Sequence, residues 1–230
     1  MKPLLLSACA AIALIVPARS DDPKPKPARF DHLVREDIFN GFNGDEEALT
    51  RGIKACDDAL KDNPKHAEAL VWRGAAKLFQ SGTLFQKGKS KDALPLWTAA
   101  IKDMDDAVKL EPKNIGVRIP RAASLLPAAR EVPPALAKPL FAKVLEDYQF
   151  TYGMQKDYLD KLGTHPRGEL EMGLADIYRL TGNLDKSREH LNAIVKSMPD
   201  TKYATRANEW LAAKPDAKLA HNCIGCHTKK

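Results

Sequence analysis

Hydrophobic positions along this chain recur at helical spacing, in related segments that each close on a proline. Residues 53–64, from Ile53 through Asp57, Asp58 and Ala59 to Pro64, return as residues 101–112, from Ile101 through Asp105, Asp106 and Ala107 to Pro112. A third copy, weaker in identity, ends at Pro199. Twelve residues before each proline stands a small side chain, Gly52, Ala100 or Ser187, which lets a neighbouring helix approach closely. Eight before it stand Cys56, Met104 and Leu191, and four before it Leu60, Val108 and Val195. Steps of four keep these positions on one helical face, and proline, lacking an N–H and clashing with the preceding turn, ends each helix. These are packing helices, with Cys56 expected to be a small buried hydrophobe.

Each packing helix is preceded by a partner. Residues 174–178 followed by Gly182, Asn183 and Leu184 read as a first helix, a tight turn and the start of a second, with Ala175 twenty-four residues ahead of Pro199. On these residues the chain resembles the tetratricopeptide repeat (TPR) family, whose 34-residue unit is a helix-turn-helix with small residues at the crossing and a closing proline. The resemblance is best over residues 168–201, good over 67–114, fair over 33–66 and poor over 115–166. It implies an all-α, TPR-like helical-hairpin solenoid over residues 30–214, with about nine helices in four pairs, a cap helix near 203–213 and a surface for protein partners. A segment of this length can bury such a core. Strand signals are scarce, since no long stretch alternates apolar and polar residues.

Two stretches depart from the unit. Gly74 and Pro112 are thirty-eight residues apart instead of twenty-four, which predicts a loop insertion around residues 80–90. Pro120, Pro127, Pro133, Pro134 and Pro139 are predicted to interrupt the helical pattern ahead of an amphipathic stretch over 140–162. Trp72, Phe79, Trp97, Tyr148, Tyr152, Tyr178 and Trp210 fall mostly on predicted helices and are expected in packing.

The candidate chemistry lies at the two ends. Residues 223–227 form a C-x-x-C-H motif of Cys223, Cys226 and His227. Two thiols at this spacing can form thioethers to the two vinyl groups on one edge of a porphyrin, and the adjoining histidine then lies beneath the iron as proximal ligand. This is the attachment signature of haem c. The resemblance of the tail, residues 215–230, to c-type cytochromes covers little beyond the motif, because only three residues follow His227. A second axial ligand would have to come from the upstream repeats, from His221 or from another molecule. Met104, Met172 and Met198 are expected in the core, and His32, His66, His165 and His190 are expected to face solvent.

C-x-x-C also serves zinc sites and dithiol redox centres. Zinc would need a fourth ligand, for which His221 is the nearby candidate in a cramped, open site. A dithiol centre would need a strand-to-helix setting that nothing here suggests, and a plain Cys223–Cys226 disulfide is the remaining reading.

The beginning of the chain reads as an export signal over residues 1–20. Lys2 supplies a basic start, residues 4–16 an apolar run, and Ala18 and Ser20 the small residues of a cleavage site, with cleavage expected after Ser20 into the periplasm. The run is shorter than the roughly 20 residues that span a bilayer, and Pro17 closes it, so no permanent membrane span is expected. The segment ending at Cys9 imitates a lipoprotein cleavage box but precedes most of the apolar stretch, so Cys9 is read as part of the signal. Loss of Lys2 and Arg19 lowers the formal charge from +6 to +4, residues 1–20 carrying no acid. No Lys/Arg cluster is interleaved with aromatics, which argues against nucleic acid and at most favours an acidic partner surface. Residues 21–29, rich in proline and lysine, read as an extended leader.

No catalytic acid, base and nucleophile stand out together, the scattered carboxylates reading as solvated helix faces. A peroxidase-like enzyme is therefore the least supported reading. The expectation is an exported repeat protein with one covalent haem c, passing electrons between a donor and an acceptor protein in a periplasmic assembly. The alternative is an interaction scaffold whose tail is structural or binds zinc.

Overall fold

Glycine turns alternate with proline-containing links over residues 43–114 and again over 181–201, whereas residues 131–133 hold a proline where a glycine turn would fall, and the helices stand between these breaks. The computed structural model describes residues 29–214 together with Ala217 and Leu219. Among these residues there are nine α-helices, one 3-10 turn and no strand. They are α1 (Asp31–Phe42), α2 (Glu46–Asp62), α3 (Ala67–Gln86), α4 (Ser90–Leu110), α5 (Ile115–Arg130), α6 (Pro134–Gln155), α7 (Thr164–Leu180), α8 (Leu184–Ser197) and α9 (Lys202–Ala212), with the 3-10 turn Lys156–Lys161 after α6. The protein is all-α over this span.

Three of the tight turns share one construction. Gly44, Gly88 and Gly182 sit between α1 and α2, α3 and α4, and α7 and α8 with φ of 100°, 72° and 84°, a region that costs a side chain energy but not glycine. In each, the next N–H reaches the carbonyl five residues back: Asp45 to Asn40, Lys89 to Leu84 and Asn183 to Tyr178. That bond satisfies an orphan carbonyl at the helix end and reverses the chain. The alternate links hold Pro64, Pro112 and Pro199, and the helices after them are capped by His66, Asn114 and Thr201, which accept from the N–H of Ala69, Gly116 and Ala204. Local sequence thus decides where these helices start and stop.

Packing follows chain order. Each of the first eight helices packs most extensively on its hairpin partner, α1 on α2, α3 on α4, α5 on α6 and α7 on α8, with α2 on α3, α3 on α5, α6 on α7 and α8 on α9 joining the pairs. The small positions lie at the crossings. A Cβ at Gly74 would come 2.7 Å from Met104 Cγ and 2.9 Å from the Ala100 carbonyl oxygen, and one at Gly52 would come 2.7 Å from Ile38 Cγ1. Ser187 uses its hydroxyl as well, donating to the Ala175 carbonyl at 2.7 Å. Cys56, Met104 and Leu191 are buried as the spacing predicts, and Met172 and Met198 are buried too. Each large apolar side chain removed from water this way contributes about 1.5–3 kcal/mol.

The buried apolar residues form two clusters. The larger runs from Phe30 on the approach to α1 through Ile38, Met104 and Leu125 to Tyr178 on α7. The smaller gathers Met172, Leu191, Ile194, Tyr203 and Trp210 between α7, α8 and α9. The aromatic expectation holds for Trp72, Tyr148, Tyr178 and Trp210, whereas Phe79 is at the surface.

Several expectations are corrected. The insertion is not a loop: α3 continues to Gln86 and α4 begins at Ser90, so residues 80–86 lengthen a hairpin. No proline falls between Gln80 and Gln86, and Ser81 and Ala93 are buried in the prolonged pair. Of the prolines of the third unit, Pro133 and Pro134 do stand at a break, between α5 and α6, whereas Pro120, Pro127 and Pro139 lie inside helices. Pro120 and Pro139, like Pro95, are each the sixth residue of their helix, so each removes one backbone bond close to an end that already has unsatisfied N–H groups. The chain leaves helix only around residues 131–133, where Pro133 is extended. In α8 the apolar face falls on Ile194, with Val195 half-buried.

Candidate functional site

Four of the sequence-predicted site residues, Cys223, Cys226, His227 and His221, lie outside the described residues, as do the signal segment and Cys9. The structure describes the approach to them. The Lys214 carbonyl accepts from Arg179 Nη2 at 2.5 Å and from the Ala217 N–H at 3.1 Å, a turn that directs the chain after α9 back toward α7. Leu219 is then half-buried against the small cluster of Met172, Leu191 and Trp210. Three residues separate Leu219 from Cys223.

The histidines named as possible ligands sit in two groups. His32 is exposed at the start of α1, and His66 caps α3 with its Nδ1 while packing on Phe30, their ring centroids 4.6 Å apart. His165 and His190 belong to α7 and α8. His165 Nδ1 lies 2.9 Å from the Tyr203 hydroxyl. His190 is buried, contrary to expectation: its Nδ1 lies 2.6 Å from Glu171 Oε2, the Tyr178 ring stacks on it at 5.6 Å and Tyr152 meets it edge-on at 5.2 Å. A carboxylate partner and two aromatic walls stabilise an imidazole inside the fold. Among the described residues no three His, Cys, Asp or Glu side chains come together as a metal site.

What the residue pattern did not reveal is a ladder of buried charge. Arg73 on α3 holds Asp103 of α4 through Nε and Nη2, both at 2.8 Å, and reaches back to Asp57 of α2 at 3.0 Å. Lys77 adds a contact to Asp103 at 3.0 Å. One repeat later Arg121 on α5 holds Asp147 of α6 through Nε at 2.6 Å and Nη2 at 2.8 Å, and reaches back to Asp105 of α4 at 3.1 Å. Arg118 also donates to Asp147, at 2.7 Å, and to the Pro112 carbonyl.

Burial opposes the charge of both Arg73 and Arg121, but the facing carboxylates outweigh it and hold both guanidiniums above their ordinary pKa. Asp147 is fully buried, and its desolvation lifts the carboxyl against the pull of the two arginines. The expectation that the acids line solvated faces fails for Asp103, Asp147, Glu171 and Asp176. A signal was present: Arg73 and Arg121 stand forty-eight residues apart, the same offset as Asp57 and Asp105, each arginine beside a small residue of an inward helical face.

The same offset shapes the surface. A groove of about 590 Å³ is lined by Thr50, Ile53, Lys54, Asp57, Asp58 and Lys61 together with Leu60 and Arg73. A second, of about 380 Å³, is lined by Thr98, Ile101, Lys102, Asp105, Asp106 and Lys109 together with Trp97. Each of the six residues named first has its counterpart forty-eight positions on. Lys54 and Lys61 both bond Asp58, and Lys102 and Lys109 both bond Asp106, which holds the two carboxyls below their usual range. An isoleucine between lysine and aspartate walls makes a shallow contact surface of mixed sign. It does not enclose a small substrate.

Comparison of the chain with protein-family models, with curated proteins and with solved structures returned no match. No helix among the described residues is long and apolar enough to cross a membrane.

Proposed function

We propose that this is an exported, TPR-type helical-hairpin protein that carries one covalent haem c and serves in electron transfer within a periplasmic protein assembly. The carrying observation is the C-x-x-C-H order of Cys223, Cys226 and His227, led in by a tail whose Lys214 and Leu219 rest on the last three helices. Two thiols and an imidazole in this order fit haem c, with Cys223 and Cys226 holding the porphyrin by thioethers and His227 as its proximal ligand. Bound there, the group supplies one-electron exchange.

The chain's own part is placement. Leu219 is four residues from Cys223, a span of about 14 Å at full extension, so the anchored tail keeps the motif in reach of the α7–α9 surface. The repeated hairpins offer partner surface, of which the two equivalent grooves are the clearest element.

Production of the precursor in a host that matures c-type cytochromes tests the reading. The expected product is a coloured protein whose haem survives denaturation and is absent from Cys223→Ala/Cys226→Ala. A colourless product from such a host overturns it. Zinc without haem by elemental analysis assigns the tail a structural role in a scaffold, and peroxide turnover by the ferric protein would move the reading to an enzyme.

A further inference from the structure

The lengthened α3–α4 hairpin ends in a surface that nothing so far explains. At the end of α1, Phe42 packs on Phe79 of α3, their ring centroids 4.9 Å apart. At the other flank Glu68 near the start of α3 meets Asn114 at the start of α5, so these helices run side by side, and α5, with 16 residues against 20, stops sooner. Beyond Phe79, residues 80–86 add roughly 10 Å of helix at 1.5 Å per residue. Phe85 and Trp97 pack edge-on at 6.3 Å and tie the two helices together out there.

The end itself combines apolar and cationic groups. Leu94 is 58% exposed and Phe85 38%, large values for side chains of this kind. Around the Gly88 turn stand Lys87, Lys89 and Lys91, all exposed, with Asp92 as the acid beside them. These three lysines make no ion pair among the described residues, unlike Lys54, Lys61, Lys102 and Lys109 in the grooves. Two apolar side chains and three lysines fall far short of the roughly 20–30 residues a side of a standard protein interface. They can enter a lipid headgroup layer, where apolar side chains are buried to a few ångströms and lysines meet phosphates.

We propose that the end of the α3–α4 hairpin docks the protein on an anionic lipid surface, Phe85 and Leu94 entering the headgroup region while Lys87, Lys89 and Lys91 pair with lipid phosphates. Attachment is peripheral and reversible, because two apolar side chains and three charges are far from a membrane span. It does not depend on the haem reading.

Vesicle co-sedimentation of the full mature chain is the test. Binding is expected to phosphatidylglycerol-containing vesicles, to be absent with pure phosphatidylcholine and to weaken as salt rises. Lys87→Glu/Lys89→Glu/Lys91→Glu should lower binding by roughly tenfold or more, and Phe85→Ser/Leu94→Ser by several-fold. All five residues are exposed or at the surface, and an unchanged circular dichroism spectrum confirms that the variants fold. Lys24→Glu/Lys26→Glu in the leader serves as control. Failure to bind anionic vesicles, wild-type binding by the triple variant, or loss confined to the leader variant overturns the proposal. So does a protein partner lost with the hairpin variants in the absence of lipid binding.

Discussion

The hairpins from α3 to α6 and the last hairpin, α7–α8, fill one layer of the repeat with opposite arrangements of charge. Nine residues before the closing proline stands Asp103 in α4 and His190 in α8. In the first region the cation lies on the first helix of the pair and the carboxylate on the second, as in Arg73 with Asp103 and Arg121 with Asp147. In the last pair the carboxylate, Glu171, lies on the first helix and the imidazole on the second. A crossing layer therefore demands satisfied polar groups, not a particular residue.

The consequence for cohesion differs. Two guanidiniums of the first region each reach two further helices, Arg73 joining α2 and α4, and Arg121 joining α4 and α6. Among the described residues, His190 pairs with Glu171 inside its own hairpin and meets α6 through the Tyr152 ring. Arg73 and Arg121 each lace three helices of the earlier hairpins together, while the last hairpin is joined to them by the Arg130–Asp176 pair between α5 and α7, by the bond from Gln149 to the Tyr178 hydroxyl and by the Tyr152 ring.

The contrast has measurable edges. Asp147→Ala leaves Arg118 and Arg121 buried without their shared carboxylate and should cost about 3–5 kcal/mol in urea denaturation. His190→Ala strands the Glu171 carboxylate and removes two ring contacts, for about 1–3 kcal/mol. If the histidine variant proves the more damaging, the number of helices that a buried charge joins is not what sets its cost.

Cys56, on the α2 helix that Arg73 ties to the first region through Asp57, reports on burial there by pH. Burial pushes its thiol from 9.0 up to about 12, so between those values the folded chain keeps a proton that the unfolded chain releases. Stability is then level below pH 9 and falls by about 1.4 kcal/mol per pH unit above it. Subtracting the profile of Cys56→Ala isolates that slope, and an identical alkaline profile in the variant would show the thiol to be in contact with solvent. Smallest is Lys102→Met on the exposed groove face, where the pair with Asp106 is solvated on both sides. Its melting temperature should equal the parent's within error.

Much of the fold was legible from residue type and spacing. Gly52, Ala100 and Ser187 mark crossings because only small side chains admit a neighbouring backbone, and the face of Cys56 and Met104 had no other place to go. Less legible were features that depend on a partner distant in the sequence. Asp147 and His190 look like any surface acid or histidine until Arg121 and Glu171 are folded against them. The spacing of Gly74 and Pro112 predicts a loop where α3 and α4 extend, because a length mismatch says how many residues are extra, not what they form.

The chain alone determined the order of helices and turns, and it carries the C-x-x-C-H motif that any reading of function must use. Those features are local, set by backbone sterics, covalent spacing and the chemistry of neighbouring side chains. Tertiary structure decided which charges are buried, that Arg179 holds the Lys214 carbonyl, and that Leu219 rests on the cluster between α7, α8 and α9. Burial and pairing are properties of surfaces brought together from far along the chain. No window of sequence contains them.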